Sequence, residues 1–61
     1  MLLDKFDVAD LLGLTARQVL RLVRRGELPS IRLPVPGDEI RFDPEDIRRW
    51  VEFHKLPANN E

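Results

Sequence analysis

The sequence contains no cysteine and a single histidine, His54. Without cysteine there is neither a disulfide framework nor a thiolate metal site, and one imidazole cannot supply the three or four ligands of a zinc centre. No metal and no cofactor are expected. Long hydrophobic runs are missing as well: the longest is Met1-Leu2-Leu3, far short of the roughly 20 residues that cross a bilayer. Nor does the chain open on a basic segment followed by an apolar one, so no secretory leader is expected. These absences predict a soluble protein of the reducing cytoplasm, without a membrane partner. A chain of 61 residues builds one core at most, and at about 60 residues only roughly 60% of the unfolded surface is buried. That excludes an enzyme of ordinary architecture; no catalytic residue and no small-molecule substrate are expected. The chain reads as one complete small gene product, with a domain over 1–56 and a disordered polar tail over 57–61.

The formal charge of −1 hides a segregation. Residues 1–14 carry a charge of −2, residues 15–33 carry +4 and residues 34–61 carry −3. The basic middle block holds Arg17, Arg21, Arg24, Arg25 and Arg32 against Glu27 alone. Arg, which outnumbers Lys in this chain, suits bidentate recognition of phosphate and guanine better than Lys does.

Asp4 precedes Val8-Ala9-Asp10-Leu11-Leu12 and is placed to cap a first helix over about 5–12. Gly13 supplies a tight exit. Thr15-Ala16-Arg17-Gln18 has the form of a capping box, in which hydroxyl and amide satisfy each other's backbone donors. A second helix starts there and ends at Gly26, with Val19, Leu22 and Val23 on one face and arginines over the rest. Ser30-Ile31-Arg32-Leu33 and Ile40-Arg41-Phe42 flank the turn Pro34-Val35-Pro36-Gly37-Asp38-Glu39, the pattern of a hairpin that presents Arg32 and Arg41 opposite its apolar residues. Asp43-Pro44-Glu45-Asp46 starts a third helix whose stripe is Ile47, Trp50, Val51 and His54 and which Leu56-Pro57 closes.

Two helices joined by a short Gly-containing turn, the second rich in Arg, have the sequence form of a helix-turn-helix. Ala9 lets the helices approach, Gly13 permits the turn, and Val19 packs the second helix back on the first, while Val8, Leu12, Leu14 and Leu22 fill the interior. Here the chain resembles the helix-turn-helix family. From Leu3 to Phe53 it resembles the winged, excisionase-type branch, related to the DNA-binding end of the MerR regulators. The residues carrying the likeness are Val8-Ala9-Asp10-Leu11-Leu12-Gly13-Leu14-Thr15, Arg24-Arg25-Gly26-Glu27-Leu28-Pro29 and Asp43-Pro44-Glu45-Asp46-Ile47-Arg48-Arg49-Trp50. The expected fold is α+β: helix, turn, recognition helix, two-stranded hairpin wing and C-terminal helix.

The resemblance implies that helix two lies in the major groove and that the wing reaches the sugar-phosphate backbone or the neighbouring minor groove. By orientation, Thr15, Ala16, Arg17, Leu20, Arg21 and Arg24 face away from Val19, Leu22 and Val23. Arg17 and Arg21 are then candidates for base edges, with Gln18 flanking. Arg24, Arg25, Arg32 and Arg41 are candidates for phosphate, joined by the amino-terminal N–H groups of helix two. Neutralising about four to six phosphates would make log K fall against log salt with a slope of roughly −4 to −5. The wing departs from the family pattern, because Asp38 and Glu39 at its tip are repelled by phosphate; the tip either points away from DNA or meets a protein neighbour.

Simpler roles account for the remaining polar and aromatic residues. Trp50 at three residues from Ile47 is a core residue rather than a stacking platform, and His54 packs or caps. Asp43, Glu45 and Asp46 are helix-start residues, not a catalytic pair, while Arg48 and Arg49 pair with Glu45 and Glu52 at helical spacing. As a family, excisionase-type proteins bind repeated sites, bend DNA and steer a partner integrase toward excision; the partners implied here are double-stranded DNA, an integrase and neighbouring copies of the chain. The same fold also serves small prophage transcription regulators and the recognition end of packaging terminases. An alternative of another class is a protein-interaction module that docks through the acidic face of helix three and the wing.

Overall fold

In the computed structural model, which describes residues 1–58, the elements run α1 (Lys5–Leu12), α2 (Ala16–Arg24), β1 (Ile31–Arg32), β2 (Ile40–Arg41) and α3 (Pro44–Phe53). This is the expected α+β arrangement of three helices and a two-stranded antiparallel hairpin. Each helix begins at a side-chain cap. The Asp4 carboxylate accepts the Asp7 N–H at 2.8 Å while the Asp7 carboxylate accepts the Asp4 N–H at 3.0 Å. The Thr15 hydroxyl accepts the Gln18 N–H at 3.1 Å, and Gln18 Oε1 accepts the Thr15 N–H at 3.0 Å. At α3, Asp43 accepts the Glu45 N–H at 2.9 Å, and Pro44 takes the first helical position, where the missing N–H costs nothing.

The ends of α1 and α2 are each set by a glycine. Gly13 adopts φ 70° and lets Leu14 N–H reach back to the Ala9 carbonyl at 2.9 Å. At the end of α2, Gly26 adopts φ 69°; its N–H bonds the Val23 carbonyl at 3.0 Å and the Glu27 N–H bonds the Leu22 carbonyl at 2.9 Å. That pair of bonds is a Schellman motif, which needs a left-handed residue where it stands.

The core is Val8, Ala9, Val19, Leu28, Phe42 and Ile47, with Leu3, Leu12, Leu14, Leu22, Val23, Ile40 and Trp50 packed around it. Every element contributes except β1, and helices as short as these, marginal on their own in water, draw their stability from that shared packing. Full burial of Phe42, Val8 and Val19 contributes about 1.5–3 kcal/mol each. Two links between segments distant in sequence close the structure. Leu3 exchanges both backbone bonds with Phe42 at 2.8 Å, adding a one-residue third strand beside β2. Trp50 Nε1–H donates to the Glu27 carbonyl at 2.7 Å, tying α3 to the exit of α2.

Several local expectations are corrected. The strands are two residues each, because Pro34 and Pro36 remove donors from the ladder beyond Leu33. Helix three ends at Phe53, not at Leu56-Pro57: its last turn tightens, with His54 N–H bonding Val51 and Lys55 N–H bonding Glu52. Of its stripe, Ile47 and Trp50 pack on the core, but Val51 and His54 are exposed. His54 caps it, its Nδ1 lying 2.8 Å from the Trp50 carbonyl and its ring 4.1 Å from the Trp50 ring. Of the tail, Pro57 and Ala58 lack regular structure; residues 59–61 lie outside the described residues.

Candidate nucleic-acid interface

Helix two is set by its core side. Val19 is fully buried and Leu22 and Val23 pack against the core, which fixes the rotation of the helix about its axis. At about 100° per residue, Arg17, Arg21 and Arg24 then fall within an arc of about 60° directly opposite Val19 and span about 10 Å along the axis. All three are exposed. Arg25 and Gln18 lie on one flank of that arc; Ala16 and Leu20 lie on the other and are half-buried. Leu20 therefore does not project outward as expected: with Val23 and Arg24 it lines a cleft between α2 and the wing.

The capping box engages Thr15 and Gln18. The Thr15 hydroxyl and Gln18 Oε1 are both committed to backbone donors, which leaves the Gln18 amide NH2 as a donor on the outer surface. Sequence reasoning gave both residues an interface role; the structure shows that they also hold the end of the helix that such an interface would use.

The ion pairs sort the cations. Seven of the ten are paired among the described residues: Lys5 with Asp38 at 4.0 Å, Arg25 with Glu27 at 3.3 Å, Arg32 with Glu39 at 3.0 Å, Arg41 with Asp38 at 3.8 Å, Arg48 with Glu45, Arg49 with Asp46 at 3.4 Å, and Lys55 with Glu52 at 2.7 Å. Arg49 thus takes Asp46 and not Glu52, whose carboxylate goes to Lys55. The hydrogen bond from Arg48 holds the Glu45 carboxyl below its ordinary range, and the bond from Lys55 does the same for Glu52. The three cations without an ion-pair partner among the described residues are Arg17, Arg21 and Arg24, the outward arc of α2. No acidic residue occurs between Gly13 and Gly26.

The wing differs from expectation. Its register sets Ile31 opposite Arg41 and Arg32 opposite Ile40, and residues directly opposite share a face. Arg32 and Arg41 therefore point to opposite faces of the hairpin, each beside an isoleucine, and not together away from the apolar side. Arg32 lies in the cleft facing α2, its side chain 73% exposed. The Arg41 side chain is 28% exposed and donates to the carbonyls of Asp38 and Ile40, both at 2.9 Å. The acidic tip turns inward onto Lys5, Arg32 and Arg41. The cross-strand charge pair was the signal for this, but it becomes legible only once the register is known.

A helix-turn-helix with a hairpin wing, presenting one arc of unneutralised arginines on its second helix, belongs to the class of DNA-binding modules. The chain belongs to the family described as helix-turn-helix domain, which matches residues 2–55, a DNA-binding family that includes excisionase-like proteins. No curated protein and no solved structure matches the chain. Among the described residues no group of three His, Cys, Asp or Glu is placed to hold a metal, and no helix is long and apolar enough to cross a membrane.

Proposed function

We infer that the protein is a sequence-specific accessory factor of the excisionase type, which binds repeated DNA sites cooperatively, bends the duplex and directs a partner integrase toward excision. The observation that supports binding through α2 is the arc of Arg17, Arg21 and Arg24, the cations that internal acids leave unmatched. In this reading α2 enters the major groove. Arg17 and Arg21 reach base edges, Gln18 flanks them, and Arg24 meets phosphate on the side facing the wing. Thr15 and Ala16 sit where the first N–H groups of the helix approach the backbone. Leu20 offers apolar contact at the flank, and Arg25, shared with Glu27, is a peripheral phosphate contact. Arg32 and Arg41 contribute only as far as the tip acids release them.

The excisionase role rests on the resemblance and on the scale of the interface. An arc of three arginines on one short helix gives modest affinity per copy, so occupancy has to come from neighbouring copies on adjacent sites. Band shifts on fragments carrying one and two directly repeated sites test it: the expected outcome is a higher apparent affinity per site on the two-site fragment together with a bend. Equal affinity and straight DNA would reject the mechanism. A recombination assay with and without the protein separates a directionality factor from a transcription regulator of the same fold, and the target itself is sought by footprinting the DNA that flanks the gene.

A further inference from the structure

The cleft between α2 and the wing is lined by Arg24, Leu20 and Val23 from α2 and by Arg32 and Glu39 from the wing, together with Lys5. It holds three cations, yet the acidic tip faces the same space. The two acids differ in the number of their partners. Asp38 is held between Lys5 and Arg41, on a segment whose carbonyl also accepts from Arg41, so it braces the turn. Glu39 has one partner. Its Oε1 accepts from Arg32 Nη1 at 3.0 Å across an exposed surface, the kind of isolated ion pair that is weak and readily screened. Its backbone carbonyl, not its side chain, carries the hairpin bond from Leu33 N–H at 2.7 Å. No backbone bond of the hairpin depends on the Glu39 carboxylate, which covers the wing cation that lines the cleft with the unpaired Arg24.

We propose that Glu39 is an internal competitor for the DNA backbone. It occupies the Arg32 guanidinium in the free protein, and a phosphate entering the cleft between Arg24 and Arg32 must displace it. The displaced carboxylate then stands beside that phosphate and repels it. The contact is autoinhibitory and blind to sequence, since it acts on the phosphate alone. It holds down binding to any duplex and leaves discrimination to α2. This rests on the reading of α2 and the wing as one DNA-binding surface.

The test is a double-mutant cycle on the full chain, with Glu39→Gln, Arg32→Gln and the double variant, reading binding to a random-sequence duplex by fluorescence anisotropy across a series of salt concentrations. Circular dichroism confirms that each variant folds. Glu39→Gln is expected to bind at least about threefold more tightly, with a salt slope steeper by up to about 0.9, one further phosphate neutralised. In the Arg32→Gln background the same change is expected to lose most of that gain. An unchanged affinity in Glu39→Gln, or an equal gain with and without Arg32, would overturn the proposal. If Arg21→Gln weakens binding in the same assay, the role of α2 stands whatever Glu39 does; if no version of the chain binds DNA, both fail.

Discussion

At the scale of single residues, three arginines and one tryptophan do most to define the molecule. Arg17, Arg21 and Arg24 are ordinary surface residues in every respect but one, the absence of a partner among the described residues, which leaves their charge for an external anion. Replacing Arg21 by Ala is expected to weaken specific binding by about 1–3 kcal/mol and to relax the preference at one base position, as removal of a bidentate hydrogen bond to a base does; competition binding against single-base variants of the site measures it. Trp50 acts inside the protein. Its N–H satisfies the Glu27 carbonyl at the exit of α2, so Trp50→Phe removes that hydrogen bond together with part of the ring packed on the core, with an expected loss of at least about 1 kcal/mol in chemical denaturation. The sequence showed that Trp50 belonged to the core. It could not show the bond to Glu27, 23 residues away, because the partner is a backbone carbonyl with no side-chain signature.

At the scale of elements, the helices were readable because their ends are written in local chemistry. Asp4, Thr15 and Asp43 are caps, and Gly13 and Gly26 are left-handed stops, each acting within three or four residues. A methyl group added at Gly26 would meet nothing within 4 Å, so the expected cost of Gly26→Ala, about 1 kcal/mol, comes from the backbone at φ 69° alone. Thr15→Ala is expected to cost about the same through the missing cap, and both are read from denaturant midpoints. The caps and the pairs on α3 also set the response to acid. The Asp7 backbone N–H above all holds the Asp4 carboxyl below its ordinary value, and Glu45 and Glu52 are lowered by Arg48 and Lys55. Depressed carboxyls contribute stability that is present above the unfolded value near 4 and is lost as pH falls through the folded values. Urea midpoints are therefore expected to hold steady between about pH 7 and 5 and to fall below about 4. Asp4→Asn, which keeps a capping oxygen without a titrating group, is expected to flatten that fall. The wing was legible only as a hairpin. Its register and the inward turn of Asp38 and Glu39 depend on which residues of two short strands face each other, and a one-residue slip exchanges the faces.

At the scale of the whole molecule, a net charge of −1 and an affinity for a polyanion are reconciled by placement. Acids gathered at the caps, along α3 and at the wing tip neutralise the cations near them, and α2, which has no acid of its own, is left with its field intact. The segregation of charge was visible along the chain as a basic middle block. That Arg25 and Arg32, also in that block, are matched by Glu27 and Glu39 was not, since one pairing crosses the helix exit and the other crosses the hairpin.

The most direct test of this placement compares two double variants that remove the same charge from different surfaces, Arg17→Gln with Arg21→Gln and Arg48→Gln with Arg49→Gln, by measuring duplex binding against salt concentration. The α2 pair is expected to bind at least about tenfold more weakly with little change in slope, because Arg17 and Arg21 reach base edges and not phosphate, and the α3 pair to match the unaltered protein. Equal weakening in both would mean that only net charge matters and would contradict the account.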